Sequence, residues 1–407
     1  MSHKKELVII GGGAAGFMAA IHCAQNNSGI AISILEQGKE VLSKVRISGG
    51  GRCNVTHACF DVHELVNYYP RGSKELISPF YKFNCQHTID FFESRGVKLK
   101  TEADGRMFPV SDDSLSILEC LKREALKLNI KIILHAKVLK IQKPDKFIIS
   151  FNDLQLDADY LMIASGSNKT IWNEISKLNH QIIEPVPSLF TFNSKHTLFR
   201  NLSGISLNNT LIKIKDTEFE AQGITLITHL GLSGPCILKL SAFAARHLAQ
   251  QNYNFTISIN WINQTKQEIL SELNSIKLLQ AKKSIANYSP FKLPNRFWNN
   301  VLIELNLNTE KQWAQLNKLE IQSMVDLLAV CEIPIFSKNT NKDEFVTAGG
   351  ISLAEIDFKT MQSKIVPGLY IVGEALNIDA LTGGFNFQAA WTTGFIAGTA
   401  IAKSASN

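Results

Sequence analysis

The chain has 407 residues, 45% of them hydrophobic, and carries 42 basic against 36 acidic side chains for a formal charge of +6. That is more chain than one core usually fills, so two or three domains are expected, and the charge is too mild and scattered to favour nucleic acid as a partner. The seven cysteines (Cys23, Cys53, Cys59, Cys85, Cys120, Cys236 and Cys331) contain no C-x-x-C pair, which argues against a disulfide framework, an iron–sulfur site or a structural zinc and suits a reducing compartment.

The first five residues run straight into the apolar stretch 6–10, leaving no room for a signal peptide, and no apolar run approaches membrane-spanning length. The expected setting is cytoplasmic, with no membrane insertion and no metal, for a monomer or homodimer. After Ile10 comes Gly11-Gly12-Gly13-Ala14-Ala15-Gly16, in which Gly11, Gly13 and Gly16 form a G-x-G-x-x-G pattern. A strand must turn tightly at Gly11, Gly13 leaves room for a pyrophosphate, and Gly16 lets the following helix lie close on the sheet. Amides near Ala14 and Ala15 then face phosphate oxygens. A second apolar run, 30–35, ends in Glu36, where a carboxylate can accept hydrogen bonds from ribose hydroxyls and would repel a 2′-phosphate.

The stretch 44–54 is too rich in glycine and polar groups to predict a regular element, and its three glycines are expected where something approaches the main chain. Residues 73–96 read as helices with Phe80, Phe83, Phe91 and Phe92 as core anchors, and Ser111-Asp112-Asp113 supplies caps for a helix to about Leu128. Alternation over 136–141 and 147–151 predicts antiparallel ribbons. The run 160–164 predicts a buried parallel strand whose exit, Ala164-Ser165-Gly166, returns near the nucleotide. Past Pro185 and Pro187 short alternating runs predict an antiparallel β domain, and 264–328 a helical subdomain with Leu270, Leu273, Ile276 and Leu279 as its apolar face. The run 368–374 is a strand with a glycine–acid exit, and 382–388 leads into a helix of small residues.

Taken in order, the turn at 11–16, Lys44-Val45-Arg46-Ile47-Ser48-Gly49-Gly50-Gly51-Arg52-Cys53-Asn54-Val55-Thr56, Gly105-Arg106-Met107-Phe108-Pro109, Thr228-His229-Leu230-Gly231-Leu232-Ser233-Gly234-Pro235, Phe345-Val346-Thr347-Ala348-Gly349-Gly350 and 373–394 are a specific set. Over nearly its whole length the chain resembles the bacterial NAD(P)/FAD-dependent oxidoreductase flavoproteins that include aminoacetone oxidase-like and 3-oxo bile-acid reductase-like members. The resemblance implies an α/β fold: a glutathione-reductase-like FAD-binding Rossmann domain with an inserted antiparallel β-barrel-like domain and a small helical subdomain. The expected segments are 1–189 and 348–407 for the FAD-binding domain, 190–263 and 330–347 for the β domain, and 264–329 for the helical insert. Two positions depart from the family pattern: Asn377 replaces an acid, and Phe385 stands where tyrosine is usual, which removes a phenol from that position.

Flavin chemistry requires a cofactor, since no side chain carries hydride. Gly11, Gly13, Ala14, Ala15, Gly16, Glu36 and Gln37 are assigned to the ADP half of FAD, with the main chain near Val138 on the adenine and Ala164, Ser165 and Gly166 beside it. Lys44, Arg46, Gly50, Gly51, Arg52, Cys53 and Asn54 are assigned to the pyrophosphate and flavin side, an arginine there supplying directional donors; Arg46 could instead be a surface residue, and Cys53 could simply pack the loop. Gly373, Glu374 and Asp379 would surround the ribityl chain, and Gly383, Gly384, Phe385, Asn386 and Gln388 the ring, with Asn386 a cap or a ring contact. His229 is a candidate proton-transfer residue or a histidine that orients its loop.

The expected activity is oxidoreduction of a small organic substrate in a cleft between the FAD domain and the insertion, with NAD(P)H as a transient reductant because the middle of the chain lacks a second G-x-G-x-x-G. Three functions remain open: reduction of an activated C=C or C=N bond, oxygen-dependent amine or aminoketone oxidation, and a flavin-dependent RNA-modifying or partner-binding role.

Overall fold

The computed structural model describes residues 4–339 and 346–406. Phe345 of the motif above lies outside them, as do the first three residues. The chain divides into two compact units, one built from residues up to 186 together with those from 347 onward, the other from 187 to 346.

In the first unit the strand Lys5–Ile10 buries Leu7, Val8, Ile9 and Ile10 in succession, the pattern of a strand covered on both faces. It pairs in parallel with Ile30–Leu35 on one side and Tyr160–Ile163 on the other. The full seven-stranded order is Ile356–Asp357, Gln362–Ser363, Leu369–Ile371, Tyr160–Ile163, Lys5–Ile10, Ile30–Leu35 and Lys131–Ile133. The last five strands of that order are parallel, and the first two pair antiparallel at the edge. This is a Rossmann-type α/β arrangement in a mixed sheet. Val138–Gln142, Phe147–Phe151 and Leu154–Ala158 form the expected antiparallel ribbon, and the helices Ile77–Lys82 and Cys85–Glu93 bury Phe80, Phe91 and Phe92, with Phe83 buried at the cap between them.

The first helix, Ala14–Asn26, lies against the last, Phe385–Ser406, through small residues. A Cβ on Gly394 would stand 2.5 Å from the Ala15 carbonyl oxygen, and one on Gly398 2.2 Å from that of Ala19. Asn27 closes the far end of this contact, its amide donating to the Ala402 carbonyl at 3.1 Å.

Two expectations are corrected. The stretch 44–54 is ordered into a short helix, Ser43–Ile47, followed by a 3-10 turn, Ser48–Gly51, because left-handed Gly49 and Gly50 (φ 58° and 68°) reverse the chain while Ser114 donates to the Gly51 and Arg46 carbonyls. Leu279 is 80% exposed: the helix Lys266–Leu279 buries Ile269, Leu273 and Ile276. At 3.6 residues per turn Leu279 falls about 90° off the centre of that face.

The second unit holds a seven-stranded antiparallel sheet in the order Cys331–Ile335, Phe255–Asn260, Ser206–Ile214, Glu220–Ile227, Gly231–Ser233, Thr191–Asn193 and Ser337–Asn339. Only Phe336 separates the two strands at opposite ends of that order, so the sheet curls back on itself, and the Phe336 amide donates to the Asn193 carbonyl at 3.2 Å. The helices Lys266–Leu279, Asn295–Glu304 and Lys318–Ala329 pack on the same core around Trp261, Trp298 and Trp313. Among the described residues no helix is long and apolar enough to cross a membrane.

Adding a methyl group at Gly398 should lower unfolding free energy by about 1–3 kcal/mol, because it meets the Ala19 backbone and the helices must separate; a denaturant melt of Gly398→Ala that matches wild type contradicts this packing. A second expectation concerns His22 on the first helix, packed against Phe83, Phe91 and Phe395. Burial, assisted by the Arg95 charge, depresses its pKa from 6.5 to about 4. Native protein therefore binds fewer protons here than unfolded chain, so stability is full above pH 6.5 and falls as pH drops toward 4. The loss is on the order of 3 kcal/mol. His22→Leu should flatten that part of the stability–pH curve.

Candidate functional site

The turn after the first strand shows three glycines with three different surroundings. Gly11 adopts φ +113°, and a Cβ there would stand 2.3 Å from the Ala164 carbonyl oxygen, so strand exit and turn leave no room for a side chain. A Cβ on Gly16 would meet the Gly11 carbonyl at 2.3 Å, which is the close helix–strand approach expected of that position. At Gly13 nothing lies within 4 Å. Gly13 is also the N-cap of the first helix and offers no side chain to the first-turn amides, so those of Ala14 and Ala15 lack intrahelical partners and stand beside open space.

Glu36 is fixed by its own backbone, donating to the Ile133 carbonyl at 2.9 Å and accepting from Ala136 at 2.8 Å. Its carboxylate accepts from the Gly12 amide at 3.0 Å and the Gly38 amide at 2.7 Å. It lines a pocket with Gly11, Val138, Ser165, Asn168 and Ile171, into which Gln37 also reaches while accepting from the Asn168 amide at 3.3 Å. The Ser165 hydroxyl in that wall is buried and has no hydrogen-bond partner among the described residues. Lys44 and Glu374 form an ion pair at 2.6 Å, and the Glu374 carboxylate lies 3.6 Å from a Cβ position on Gly166. Gly373 is packed, its Cβ position 3.0 Å from that of Ala15, and its amide donates to Thr393 at 2.9 Å. The structure thus brings together the expected residues from both ends of the chain.

The loop 49–57 meets the start of the last helix. The Asn54 amide, oriented to satisfy both its atoms, accepts from the Gly384 N–H at 3.0 Å and donates to the Thr56 carbonyl at 3.1 Å. A Cβ on Gly384 would stand 2.6 Å from the Thr56 oxygen, whereas the Cβ positions of Gly50 and Gly51 are open. Asn386 folds back on the main chain of Ala380 through two bonds, at 2.9 and 3.0 Å, in the manner of a cap. Gln388 is wholly buried and spends its amide on Thr56, Thr88 and Thr392, so its side chain ties elements together within the core.

Other predicted residues have protein partners. Arg46 pairs with Glu40 at 2.6 Å; Arg52 pairs with Glu102 at 2.6 Å and lies over the Phe108 ring. Asp379 is fully buried in an ion pair with Arg71. Cys53 is buried at positive φ, and burial pushes its thiol up to about 12, so it stays protonated. His229 stands exposed in the second unit, on a turn where the Thr228 hydroxyl accepts from the Leu230 and Gly231 amides at 3.3 and 3.2 Å.

Sequence reasoning passed over His57, Tyr68, Tyr69 and Arg71. His57 is bonded to the Gly383 carbonyl at 3.0 Å, the Tyr69 hydroxyl donates to the Phe385 carbonyl at 2.6 Å, and the Leu381 amide donates to Tyr68 at 2.9 Å. The available signal was the polar–aromatic run Tyr68-Tyr69-Pro70-Arg71 between predicted helices.

FAD fits these residues: an uncapped helix start faces open space at Gly13, a carboxylate reaches a pocket at the strand ends, and the Ser165 hydroxyl is left without a partner there. Fold and site define an FAD-binding oxidoreductase of the Rossmann type. The chain matches the HI0933-like protein Rossmann domain over residues 5–400 and belongs to that family. It is 27% identical to a 3-dehydro-bile acid delta(4,6)-reductase of Clostridium scindens, over 97% of this chain and 98% of that one. It is 26% identical to a ribosomal RNA dihydrouridine synthase of Haemophilus influenzae, over 99% and 100%. Its fold is also that of a 3-ketosteroid-delta4-(5alpha)-dehydrogenase from Rhodococcus jostii RHA1, with a TM-score of 0.50 at 11% identity over 99% of this chain and 98% of that one.

Gly13→Ala should leave the melting temperature of FAD-free protein unchanged, since the new methyl meets nothing, yet weaken FAD binding at least about tenfold by blocking backbone approach. Equal FAD affinity in a flavin-fluorescence titration would show that the opening at Gly13 is not where the pyrophosphate passes.

Proposed function

We propose that the protein is an FAD-dependent reductase of carbon–carbon double bonds conjugated to a carbonyl, with NAD(P)H as hydride source. The observation that carries this reading is that two relatives aligned over almost their full lengths are named for one chemistry on unlike substrates. A delta(4,6)-reductase saturates ring double bonds of a keto steroid, and dihydrouridine is uridine with the C5–C6 bond of its conjugated ring saturated. The relative that acts on ribosomal RNA also restores nucleic acid as a candidate substrate, against the low weight that charge alone gave it.

When bound, FAD supplies the hydride-carrying ring; the chain binds, orients and stabilises. Amides at Gly13, Ala14 and Ala15 would hold the pyrophosphate, Glu36 the ribose, and the walls at Val138, Gln37 and Ser165 the adenosine. Lys44 and Glu374 would flank the ribityl chain. The open backbone at Gly50 and Gly51 would accept the flat ring. The first-turn amides of the helix Phe385–Ser406 would favour negative charge beside them by about 0.3–1 kcal/mol. His229 stays a candidate of the second unit, with no role assigned in this step. Overall, NAD(P)H, one proton and one C=C bond give NAD(P)⁺ and a saturated C–C bond.

Anaerobic NADH or NADPH should bleach the bound flavin, and a conjugated acceptor should restore its colour. The acceptor panel is 2-cyclohexenone, a 3-keto-4-ene steroid and a uridine-rich RNA. Recovery only in air, with peroxide release, would favour an oxidase instead, and flavin that no acceptor reoxidises would remove the reductase reading.

A further inference from the structure

The acceptor classes named above differ in charge: a keto steroid carries no row of charges, whereas RNA carries one on every nucleotide. Charge averaged over the whole chain hides an uneven distribution. In the second unit the stretch 273–303 holds Lys277, Lys282, Lys283, Lys292 and Arg296 and no aspartate or glutamate. Lys277 is engaged, donating to the Leu316 carbonyl at 2.6 Å. The other four are exposed, as is Arg200, and among the described residues none of these five pairs with a carboxylate. Elsewhere in the same unit Lys215, Lys266 and Lys311 each hold one, at 2.8, 2.6 and 2.6 Å.

The fold gathers these cations round the first half of the helix Asn295–Glu304, on which Arg296 and Asn300 lie one turn apart. The Arg296 guanidinium donates to the Asn201 carbonyl, and the Asn300 amide donates to the Leu198 and Arg200 carbonyls at 2.9 and 2.8 Å. Arg200 is thereby seated on the Arg296 side of the helix. On another side the Trp298 indole donates to the Ile285 carbonyl at 2.7 Å and so holds the turn that carries Lys282 and Lys283. Lys292 enters from the 3-10 turn Pro290–Lys292, where Phe291 and Lys292 both adopt left-handed backbone, φ 54° and 55°, a conformation costly for residues other than glycine. A helix with its side chains is about 10–12 Å across, so five uncompensated cations surround one end of one element. Like charges gathered in this way repel, and a polyanion relieves the repulsion.

Aromatic and amide side chains alternate with the cations. Lys283 lies 5.3 Å over the half-buried Tyr288 ring, Phe291 precedes Lys292, and Asn287 and Asn295 are exposed among them. That mixture suits phosphates and stacked bases. No large apolar side chain from 280 to 302 is exposed, which is unlike a surface that enters a membrane. We propose that this band is a docking surface for single-stranded RNA, which makes RNA, rather than an uncharged ring compound, the substrate class. The docking stands on the band alone. The substrate role rests on the reductase reading above, which a uracil base satisfies because its C5=C6 bond is conjugated to the C4 carbonyl. Unpaired RNA also presents base faces that a duplex hides.

The test uses the FAD-loaded full chain and a fluorescein-labelled, uridine-rich single-stranded RNA followed by anisotropy. Wild-type affinity should fall with salt, log K against log[salt] having a slope of about −3.5 for five phosphate contacts. A variant combining Lys282→Gln, Lys283→Gln, Lys292→Gln and Arg296→Gln should show a slope of about −0.7 and bind at least about tenfold more weakly, with flavin content and melting temperature unchanged. Lys282→Arg, Lys283→Arg and Lys292→Arg together should keep wild-type binding. Equal RNA binding by the glutamine variant, a DNA duplex held as tightly as the RNA, or phosphatidylglycerol vesicles bound while RNA is not, overturns the docking surface. RNA that fails to bind while 2-cyclohexenone reoxidises the reduced flavin sinks the docking surface and leaves the reductase reading standing. RNA held by these side chains in a protein whose flavin no acceptor reoxidises leaves the docking surface and removes the substrate role together with the reductase reading.

Discussion

The site depends on how closely two helices from opposite ends of the chain can approach. Ala15 and Ala19 on the first helix face Gly394 and Gly398 on the last, and in both places a backbone carbonyl occupies the space a Cβ would need. Interiors are packed too densely to absorb extra methyl groups there without moving one helix. That contact brings Gly373 against Ala15 and, through Gly373-Glu374, sets the C-terminal exit beside the amino-terminal turn. A ligand threaded along the carboxyl ends of the parallel strands would touch both termini because these two helices touch first.

A second level of constraint fixes the loops. The buried bonds among Thr56, Thr88, Gln388 and Thr392 join the loop after Asn54, the helix Cys85–Glu93 and the last helix, and each polar atom in the set is satisfied. Such networks are costly when incomplete and rigid when complete. The Trp391 indole adds a bond to the Val55 carbonyl at 3.0 Å. Flat rings and open glycine backbone are thereby presented on a firm support, which is what redox chemistry at a bound ring requires.

Much of the first unit was legible because its signals are local. A buried apolar run, a three-glycine turn and an acid at the end of the next strand are close in sequence, and each rests on backbone geometry that few residues other than glycine satisfy. The stretch 44–54 was misjudged because glycine-rich composition hides short helical turns stabilised from outside, here by Ser114. The roles of Gln388 and Asp379 were equally hidden: polar residues in a glycine-rich motif look like ligand contacts until their partners, Thr56 and Arg71, are seen beside them.

Sequence alone determined the dinucleotide-binding turn, the parallel strands that flank it and the glycines that cannot be replaced, since these follow from chain geometry over a few residues, and it reached the flavoprotein family through the resemblance of an ordered set of motifs. Only the tertiary structure decided which charged and polar groups are left to meet a ligand. Arg52, Asp379 and Gln388 are satisfied by residues distant in sequence and Arg46 by Glu40 six residues away, while the buried Ser165 hydroxyl finds no partner among the described residues. Hydrogen-bond satisfaction is a property of three-dimensional neighbours, and no spacing rule along the chain reports it.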